Sequence, residues 1–123
     1  MTKTCLFARR DPRFRLPPDT AYFLFSDPAT GCRHRGMVTG LGTYGFEFRL
    51  DEAIHDIAGV VLSDVCLQIH ACTMPGDFIV KNVRERDDGS RIYGGIFTPS
   101  NRESALRLEG IVSGLQIAGM TED

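Results

Sequence analysis

A run of extended sequence interrupted by three glycines constrains the fold of this chain more than any other segment. Residues 37–49 read MVTGLGTYGFEFR, in which Gly40, Gly42 and Gly45 form a G-x-G-x-x-G string. A dinucleotide-binding fingerprint of this spacing requires a strand before the string and a helix after it. Here apolar and charged residues alternate after Gly45, which is the period of a strand. The string therefore predicts a tight turn between two strands, and not a pyrophosphate site at a helix N-terminus.

The rest of the chain predicts about six short antiparallel strands followed by one helix. The strands are expected where β-branched and aromatic residues cluster between turn sequences, and they cover residues 21–25, 33–39, 45–50, 60–71, 78–86 and 92–97. Turns are expected at residues 26–31 and 74–77, and residues 86–90 predict a hairpin loop because Asp-Gly accepts a positive φ. Strands at this spacing favour a small barrel or sandwich.

After residue 99 the apolar residues change to a helical period. Ser100 and Glu103 have the spacing of a capping box, which predicts the start of a helix. One face of this helix is apolar and consists of Ala105, Leu108, Ile111 or Val112, and Leu115. Gly110 and Gly114 lower the helix propensity, and they predict either a close approach to another surface or early fraying.

The composition is typical of a single globular domain. The chain has 123 residues, of which 42% are hydrophobic and 24% are charged. The longest apolar run, residues 57–62, is too short to cross a bilayer. Arg9 and Arg10 precede any apolar stretch that could act as a signal peptide. We therefore expect a cytoplasmic protein that does not insert into a membrane.

Positive charge is concentrated near the N-terminus. Residues 1–35 hold seven of the 14 Lys and Arg but three of the 16 Asp and Glu, although the whole chain has a net charge of −2. Four of these arginines fall within residues 9–15, and Pro12, Pro17 and Pro18 restrict the same segment. The asymmetry favours a local anion site, whereas a nucleic-acid binder would be basic overall. A solvated basic arm explains the charge equally well.

The cysteines and histidines do not predict a metal site or an active site. The four cysteines form no C-x-x-C pair, and in a reducing compartment they are not expected to form disulfides. Cys66, His70 and Cys72 would share one strand face and Cys32 and His34 another, but this spacing matches no zinc motif. No nucleophile elbow, paired carboxylates or P-loop accompany the histidines. We therefore expect no metal, no cofactor and no enzymatic activity.

Residues 8–117 resemble the PilZ domain family. Arg9 and Arg13 match the R-x-x-x-R arm of the family, and residues 38–46 fall where the family has (D/N)-x-S-x-x-G. Residues 91–97, followed by a helix, look like its closing strand and C-terminal helix. The resemblance implies a mainly β fold, a six-stranded antiparallel barrel with one C-terminal α-helix. The arm would cover residues 1–19, the barrel 20–99 and the helix 100–117.

The resemblance also implies a function, that of a bacterial receptor for cyclic di-GMP that acts on a protein effector. The family's arginines engage the guanines and phosphates, while its Asp or Asn and its Ser bind the ligand from the turn. The ligand-binding residues implied in this sequence are Arg9, Arg10, Arg13, Gly40, Gly42 and Gly45.

This sequence departs from the family motif at two positions. Gly40 stands at the Asp or Asn position and Gly42 at the Ser position, so that only Gly45 is retained. The missing side-chain hydrogen bonds could be replaced by glycine N–H groups arranged as an anion-binding nest, or by other arginines, namely Arg10, Arg15, Arg33 or Arg35. The alternative is a degenerate PilZ domain that does not bind nucleotide and acts as a protein–protein interaction module.

Overall fold

The computed structural model describes residues 13–52, 54 and 56–117, which form seven strands and one helix. The elements are β1 (Arg13–Arg15), β2 (Ala21–Ser26), β3 (Arg33–Gly42), β4 (Gly45–Leu50), β5 (Val61–Ile69), β6 (Cys72–Glu85), β7 (Arg91–Pro99) and α1 (Arg102–Ile117). In this described part of the chain, no helix has the length and apolar character needed to cross a bilayer.

Six of the strands close into an antiparallel barrel. Neighbouring strands pair in the order β3, β2, β5, β6, β7 and β4, and the ring closes because β4 pairs back onto β3. The three-residue strand β1 lies outside this ring and pairs with the last residues of β3, beyond the part of β3 that β2 covers. The predicted six-stranded barrel with one C-terminal helix is therefore confirmed, and part of the predicted arm is a strand.

Phenylalanines fill the barrel. Period-2 alternation places every second residue of β2 and β4 on the inner face, so that Phe23, Phe25, Phe46 and Phe48 are fully buried. The Phe23 ring lies 4.8 Å from the Phe48 ring and 5.0 Å from the Phe78 ring, centroid to centroid. Burying each such side chain contributes about 1.5–3 kcal/mol. This rigid core fixes which residues of each strand point outward.

The helix α1 packs against β1, β6 and β7. Leu108 and Val112 are buried and Leu115 is partly buried against the core, which confirms the predicted apolar face. The predicted capping box is wrong, because the helix begins one residue later. The Asn101 side-chain oxygen accepts a hydrogen bond from the Ser104 backbone N–H at 2.8 Å, which makes Asn101 the N-cap.

The predicted close approach at the two helix glycines is also wrong within the described residues. A Cβ atom added at Gly110 or at Gly114 would meet no atom within 4 Å. Both glycines are exposed on the face of α1 that points away from the barrel.

The predicted turn at residues 74–77 is wrong as well. Strand β6 runs through this segment, and the chain reverses at His70 and Ala71, where His70 has a φ of 52°. The Pro75 carbonyl oxygen accepts a hydrogen bond from the Ser100 N–H at 2.9 Å, just beyond the end of β7. The backbone nitrogen of Pro75 lies on the same side of β6, where β7 ends, so that the strand tolerates a residue without an N–H donor. The loop predicted at residues 86–90 is confirmed, since the Arg86 N–H donates to the Ser90 oxygen at 2.8 Å.

Candidate ligand-binding site

Strand β1 brings the arginine-rich arm directly beside the glycine segment. In the β1–β3 register, Arg13 lies opposite Gly42, Phe14 opposite Leu41 and Arg15 opposite Gly40. Phe14 and Leu41 are both fully buried in the core, and this apolar pair fixes the register. Because side chains alternate along a strand, Arg15, Gly40 and Gly42 lie on the outer face.

The predicted arginines are only partly described. Arg9 and Arg10 lie outside the described residues, and for Arg13 only the backbone position in β1 is described. Arg15, a predicted substitute for the missing polar side chains, is exposed beside Gly40. Arg33, a second predicted substitute, is exposed at the opposite end of β3.

The predicted glycine turn is shorter than expected. Gly40 and Gly42 lie within β3 and Gly45 begins β4, so that the turn consists of Thr43 and Tyr44 alone. Positive φ angles occur at other glycines of the described chain, not at these three. An anion-binding nest requires successive N–H groups in alternating right- and left-handed conformations. The predicted glycine nest is therefore wrong, because these residues have extended backbone.

Gly45 is required by the packing of the strands. A Cβ atom at Gly45 would lie well inside the van der Waals radius of the Gly95 carbonyl oxygen on β7. The closing pair of the barrel thus approaches too closely for any side chain at this position. Gly45 has a structural explanation that does not depend on a ligand.

A cationic groove runs along the outer face next to β1. It has a volume of about 440 Å³ and lies between the segment Leu16–Pro18 and the outward residues of β3, β4, β6 and β7. Four arginines line it, namely Arg15, Arg49, Arg84 and Arg86. Among the described lining residues, Glu47 carries the one negative charge. Three of these arginines also face carboxylates, since Arg49 lies 3.2 Å from Asp51, Arg84 3.6 Å from Glu47 and Arg86 4.0 Å from Asp88. The lining side chains therefore have a positive formal charge, although the whole chain has a net charge of −2.

The floor of the groove is set by strand register. Arg49 of β4 lies opposite Ile92 of β7, and Ile92 lies opposite Arg84 of β6. Ile92 faces outward and does not belong to the phenylalanine core, but it is buried. Long arginine side chains commonly cover apolar surface with their methylene stems and keep the guanidinium in water. Ile92 thus provides an apolar base between two of the groove's cations.

Glu47 lies in the next outward row of the barrel. It is directly opposite Gly40 on β3 and Gly94 on β7, so that a glycine flanks it on both sides. Its side chain is 20% exposed, and its Oε2 lies 3.6 Å from Nη1 of Arg84.

Thr39 marks the point where the β3–β4 pairing shifts by one residue, between Val38 and Gly40. Its carbonyl accepts a hydrogen bond from the Leu16 N–H at 3.0 Å, which ties the arm to the barrel. Its hydroxyl oxygen is buried and has no hydrogen-bond partner among the described residues. Thr39 lines the groove.

A second depression of about 410 Å³ adjoins the groove at Met37 and Arg49. Here the Arg35 guanidinium lies 4.5 Å from the centroid of the Tyr22 ring, a cation–π contact. The Tyr22 hydroxyl donates to the Asp19 carboxylate, and this hydrogen bond is the main cause that raises the pKa of the Tyr22 phenol. Arg35, which was also predicted as a possible substitute for the missing polar side chains, therefore contacts Tyr22 beside the groove.

Sequence reasoning missed Arg49, Arg84 and Arg86 as candidate site residues. They belong to β4, to β6 and to the loop after β6, and only the pairing of these strands with β7 brings them together. The signal available in the sequence was the alternation of residues 45–50, which already placed Arg49 on an outward face.

The described residues offer no metal centre. No three His, Cys, Asp or Glu side chains of the described chain gather closely enough to bind a metal ion. Burial raises the pKa of the Cys66 thiol, which disfavours the thiolate that a metal would require.

Comparison with known proteins identifies the fold. No family model matches the sequence, and no curated protein matches it. Among solved structures, the K. pneumonia MrkH–c-di-GMP complex superposes with a TM-score of 0.79 at 21% identity, over 90% of this chain and 53% of that one. The c-di-GMP-bound PilZ domain of Escherichia coli YcgR gives 0.72 at 16% identity, over 90% and 93%. Bacillus subtilis MotI/DgrA, an inhibitor of motility, gives 0.70 at 10% identity, over 89% and 52%.

These similarities show a PilZ-like fold, as the sequence motifs predicted. The chain spans about half the length of MrkH and of MotI/DgrA, and nearly all of the YcgR domain. At identities of 21% or less, the similarity concerns the fold alone.

Proposed function

We propose that this chain is a PilZ-like receptor domain for cyclic di-GMP in bacterial second-messenger signalling, and that the ligand binds on the outer barrel face between β1 and the cationic groove. One observation carries the proposal. The β1–β3 register sets Arg15 opposite Gly40 and Arg13 opposite Gly42, and so joins the arm to the groove at the segment that resembles the family's second motif. Two of the similar structures, those of MrkH and YcgR, are complexes with c-di-GMP.

The chemistry of the groove suits this ligand. Cyclic di-GMP carries two phosphodiester charges and two guanines. Guanidinium groups donate paired, charge-assisted hydrogen bonds to phosphate oxygens and to the O6 and N7 acceptors of guanine. They also stack on base planes. Arg15, Arg49 and Arg84 thus match the acceptor groups of phosphate and guanine, and the proposed role is binding and not catalysis.

The glycines weaken this site without removing its charge. A hydrogen bond from a polar side chain at position 40 or 42 would be worth about 1–1.5 kcal/mol. The absence of both bonds corresponds to an affinity lower by roughly 30- to 150-fold than that of a receptor with the full motif. Arg49, Arg84 and Arg86 offset part of this difference, since a hydrogen bond to a charged group is worth about 1.5–3 kcal/mol.

Isothermal titration with cyclic di-GMP tests the proposal. We expect saturable binding with a dissociation constant below about 0.1 mM. Arg15→Ala or Arg84→Ala should weaken binding by about 10- to 100-fold. The same substitution at Arg9, Arg10 or Arg13 tests the rest of the arm. Arg33→Ala is the matched control, because Arg33 is an exposed arginine of β3 outside the groove. No binding heat at about 0.1 mM ligand would contradict the proposal.

A second candidate function is that of a protein-interaction module that binds no nucleotide. It is favoured by an apolar row on the outer face, in which Val61 lies opposite Ile79 and Ile79 opposite Ile96. Val61 is 54% and Ile96 41% exposed. A protein partner recovered from the host without nucleotide, and lost on Ile96→Asp, would support this function. Recovery that is unchanged by Ile96→Asp would exclude the apolar row as its binding surface.

A further inference from the structure

We infer that the second depression, beside the groove, holds one guanine of the ligand, and that Arg35, supported on the Tyr22 ring, recognises this base. The inference rests on the proposed function and extends its site beyond the groove. It assigns the two parts of the ligand to two places, the phosphates to the groove and one base to the second depression.

The second depression is continuous with the groove. Met37 and Arg49 line both, and they lie directly opposite each other in the β3–β4 pair. The segment after β1 borders both as well, since Leu16–Pro18 lines the groove and Asp19 lines the depression. The Asp19 backbone N–H donates to the Met37 sulfur at 3.4 Å, which holds this border against β3. A ligand made of two linked nucleotides can therefore extend from the groove into the depression.

The charges that line the two places differ in sign. Four arginines and one glutamate line the groove, whereas two arginines and three carboxylates line the second depression. One of these arginines is already paired, because Arg49 Nε lies 3.2 Å from Oδ1 of Asp51. A phosphodiester is therefore attracted to the groove rather than to the depression, while a neutral base meets no such repulsion.

Arg35 is the cation of the second depression that is available to a ligand. It is exposed on β3, and within the described residues its guanidinium contacts the Tyr22 ring and forms no ion pair. The hydrogen bond from the Tyr22 hydroxyl to the Asp19 carboxylate restrains that ring. A guanidinium that is held on an aromatic ring keeps its N–H groups for other acceptors. Tyr22 is thus a positioning residue, and Arg35 is the residue that would contact the base.

The donors of Arg35 match one base better than the other. Guanine presents two neighbouring acceptors, O6 and N7, to which an arginine donates a pair of hydrogen bonds. Adenine presents N7 beside the N6 amino group, which is itself a donor. Arg35 should therefore favour guanine over adenine.

The test compares cyclic di-GMP with cyclic di-AMP by isothermal titration on the full chain and its variants. The parent protein should bind cyclic di-GMP more tightly. Arg35→Ala should weaken cyclic di-GMP binding at least about tenfold and cyclic di-AMP binding by a smaller factor, so that the preference for guanine falls. Arg35→Lys keeps the charge without the paired donors and should not restore the preference. Arg33→Ala, at an exposed arginine two residues away on β3, is the matched control and should change neither affinity.

Two variants at Tyr22 test the support of Arg35. Tyr22→Phe keeps the ring and should retain most of the preference for guanine. Tyr22→Leu removes the ring face and should reduce the preference as Arg35→Ala does. Equal losses of preference for both variants would overturn the positioning role, because the hydroxyl and not the ring would then be required.

The ratio of the two affinities separates this inference from the proposed function. An unchanged ratio in Arg35→Ala would overturn the inference and leave the proposed function in place, provided that the parent binds cyclic di-GMP and Arg84→Ala weakens that binding. Absence of cyclic di-GMP binding by the parent would overturn both. Circular dichroism and the unfolding midpoint show whether each variant is folded. If Tyr22→Leu is not, the two Arg35 variants carry the test, because that side chain is exposed.

Discussion

Thr39 holds a buried hydroxyl in the wall of the groove that has no partner among the described residues. Such an oxygen costs about 1–3 kcal/mol when it is left without a hydrogen bond. Thr39→Val replaces the hydroxyl with a methyl group of similar shape. We expect this change to raise the free energy of unfolding of the ligand-free protein by about 1 kcal/mol, measured by urea denaturation. A loss of stability would contradict the prediction and show that the oxygen is bonded in solution.

At the level of single residues, the sequence predicted which side chains are inward more reliably than it predicted which cations meet. The helical period predicted an apolar face that includes Leu108 and Leu115, and the structure buries Leu108 and partly buries Leu115. The sequence did not predict that Arg49 and Arg84 lie close together, because 35 positions separate them. They are neighbours because each is paired with Ile92 of β7, one from β4 and the other from β6. Such a cross-strand pairing depends on the strand register, which a single sequence specifies only weakly.

The pairing of β4 with β7 depends on Gly45. Gly110 on α1 serves as the control position, because it is a glycine with open space around it. Gly45→Ala introduces a methyl group against the Gly95 carbonyl, so the two strands must separate. We expect a loss of about 1–3 kcal/mol in the free energy of unfolding. Gly110→Ala adds the same methyl group in open space and should stabilise the helix by about 1 kcal/mol. Thermal denaturation of both variants checks the prediction, and equal effects would contradict it.

The start of α1 can be tested in the same way. Asn101 accepts a hydrogen bond from the Ser104 N–H, whereas Ser100 contributes its backbone N–H to Pro75. Asn101→Ala should therefore lower the free energy of unfolding by about 1 kcal/mol. Ser100→Ala keeps the backbone bond and should cost less. A larger loss of stability for Ser100→Ala than for Asn101→Ala in urea denaturation would contradict this assignment and would support the predicted capping box, with Ser100 as the N-cap.

At the level of elements, the misplaced turn has a physical reason. Met74-Pro-Gly-Asp77 has the composition of a turn, because Pro and Gly normally interrupt a central strand. Here Gly76 meets the backbone and the Phe97 ring of β7 so closely that no side chain fits, and Pro75 lies where β7 ends. Both residues serve the packing of β6 onto β7. Local composition cannot distinguish this use from a turn.

The whole molecule combines a negative net charge with a positive groove. A ligand with two phosphate charges is repelled at long range by a chain of net charge −2 and attracted only close to Arg15, Arg49 and Arg84. Exposed charges are screened beyond about 8 Å at physiological ionic strength. Affinity is therefore set by interactions within the groove.

Ligand binding should stabilise the whole domain, because β1, which borders the groove, also packs against α1 and pairs with β3. A ligand at 100 times its dissociation constant raises the free energy of unfolding by about 2.7 kcal/mol. For a chain of 123 residues this corresponds to an increase in unfolding temperature of roughly 10 °C. Differential scanning fluorimetry with cyclic di-GMP measures the increase, which Arg84→Ala should reduce and Arg33→Ala should not. An equal increase with cyclic di-AMP would show that the groove recognises phosphates without reading the base.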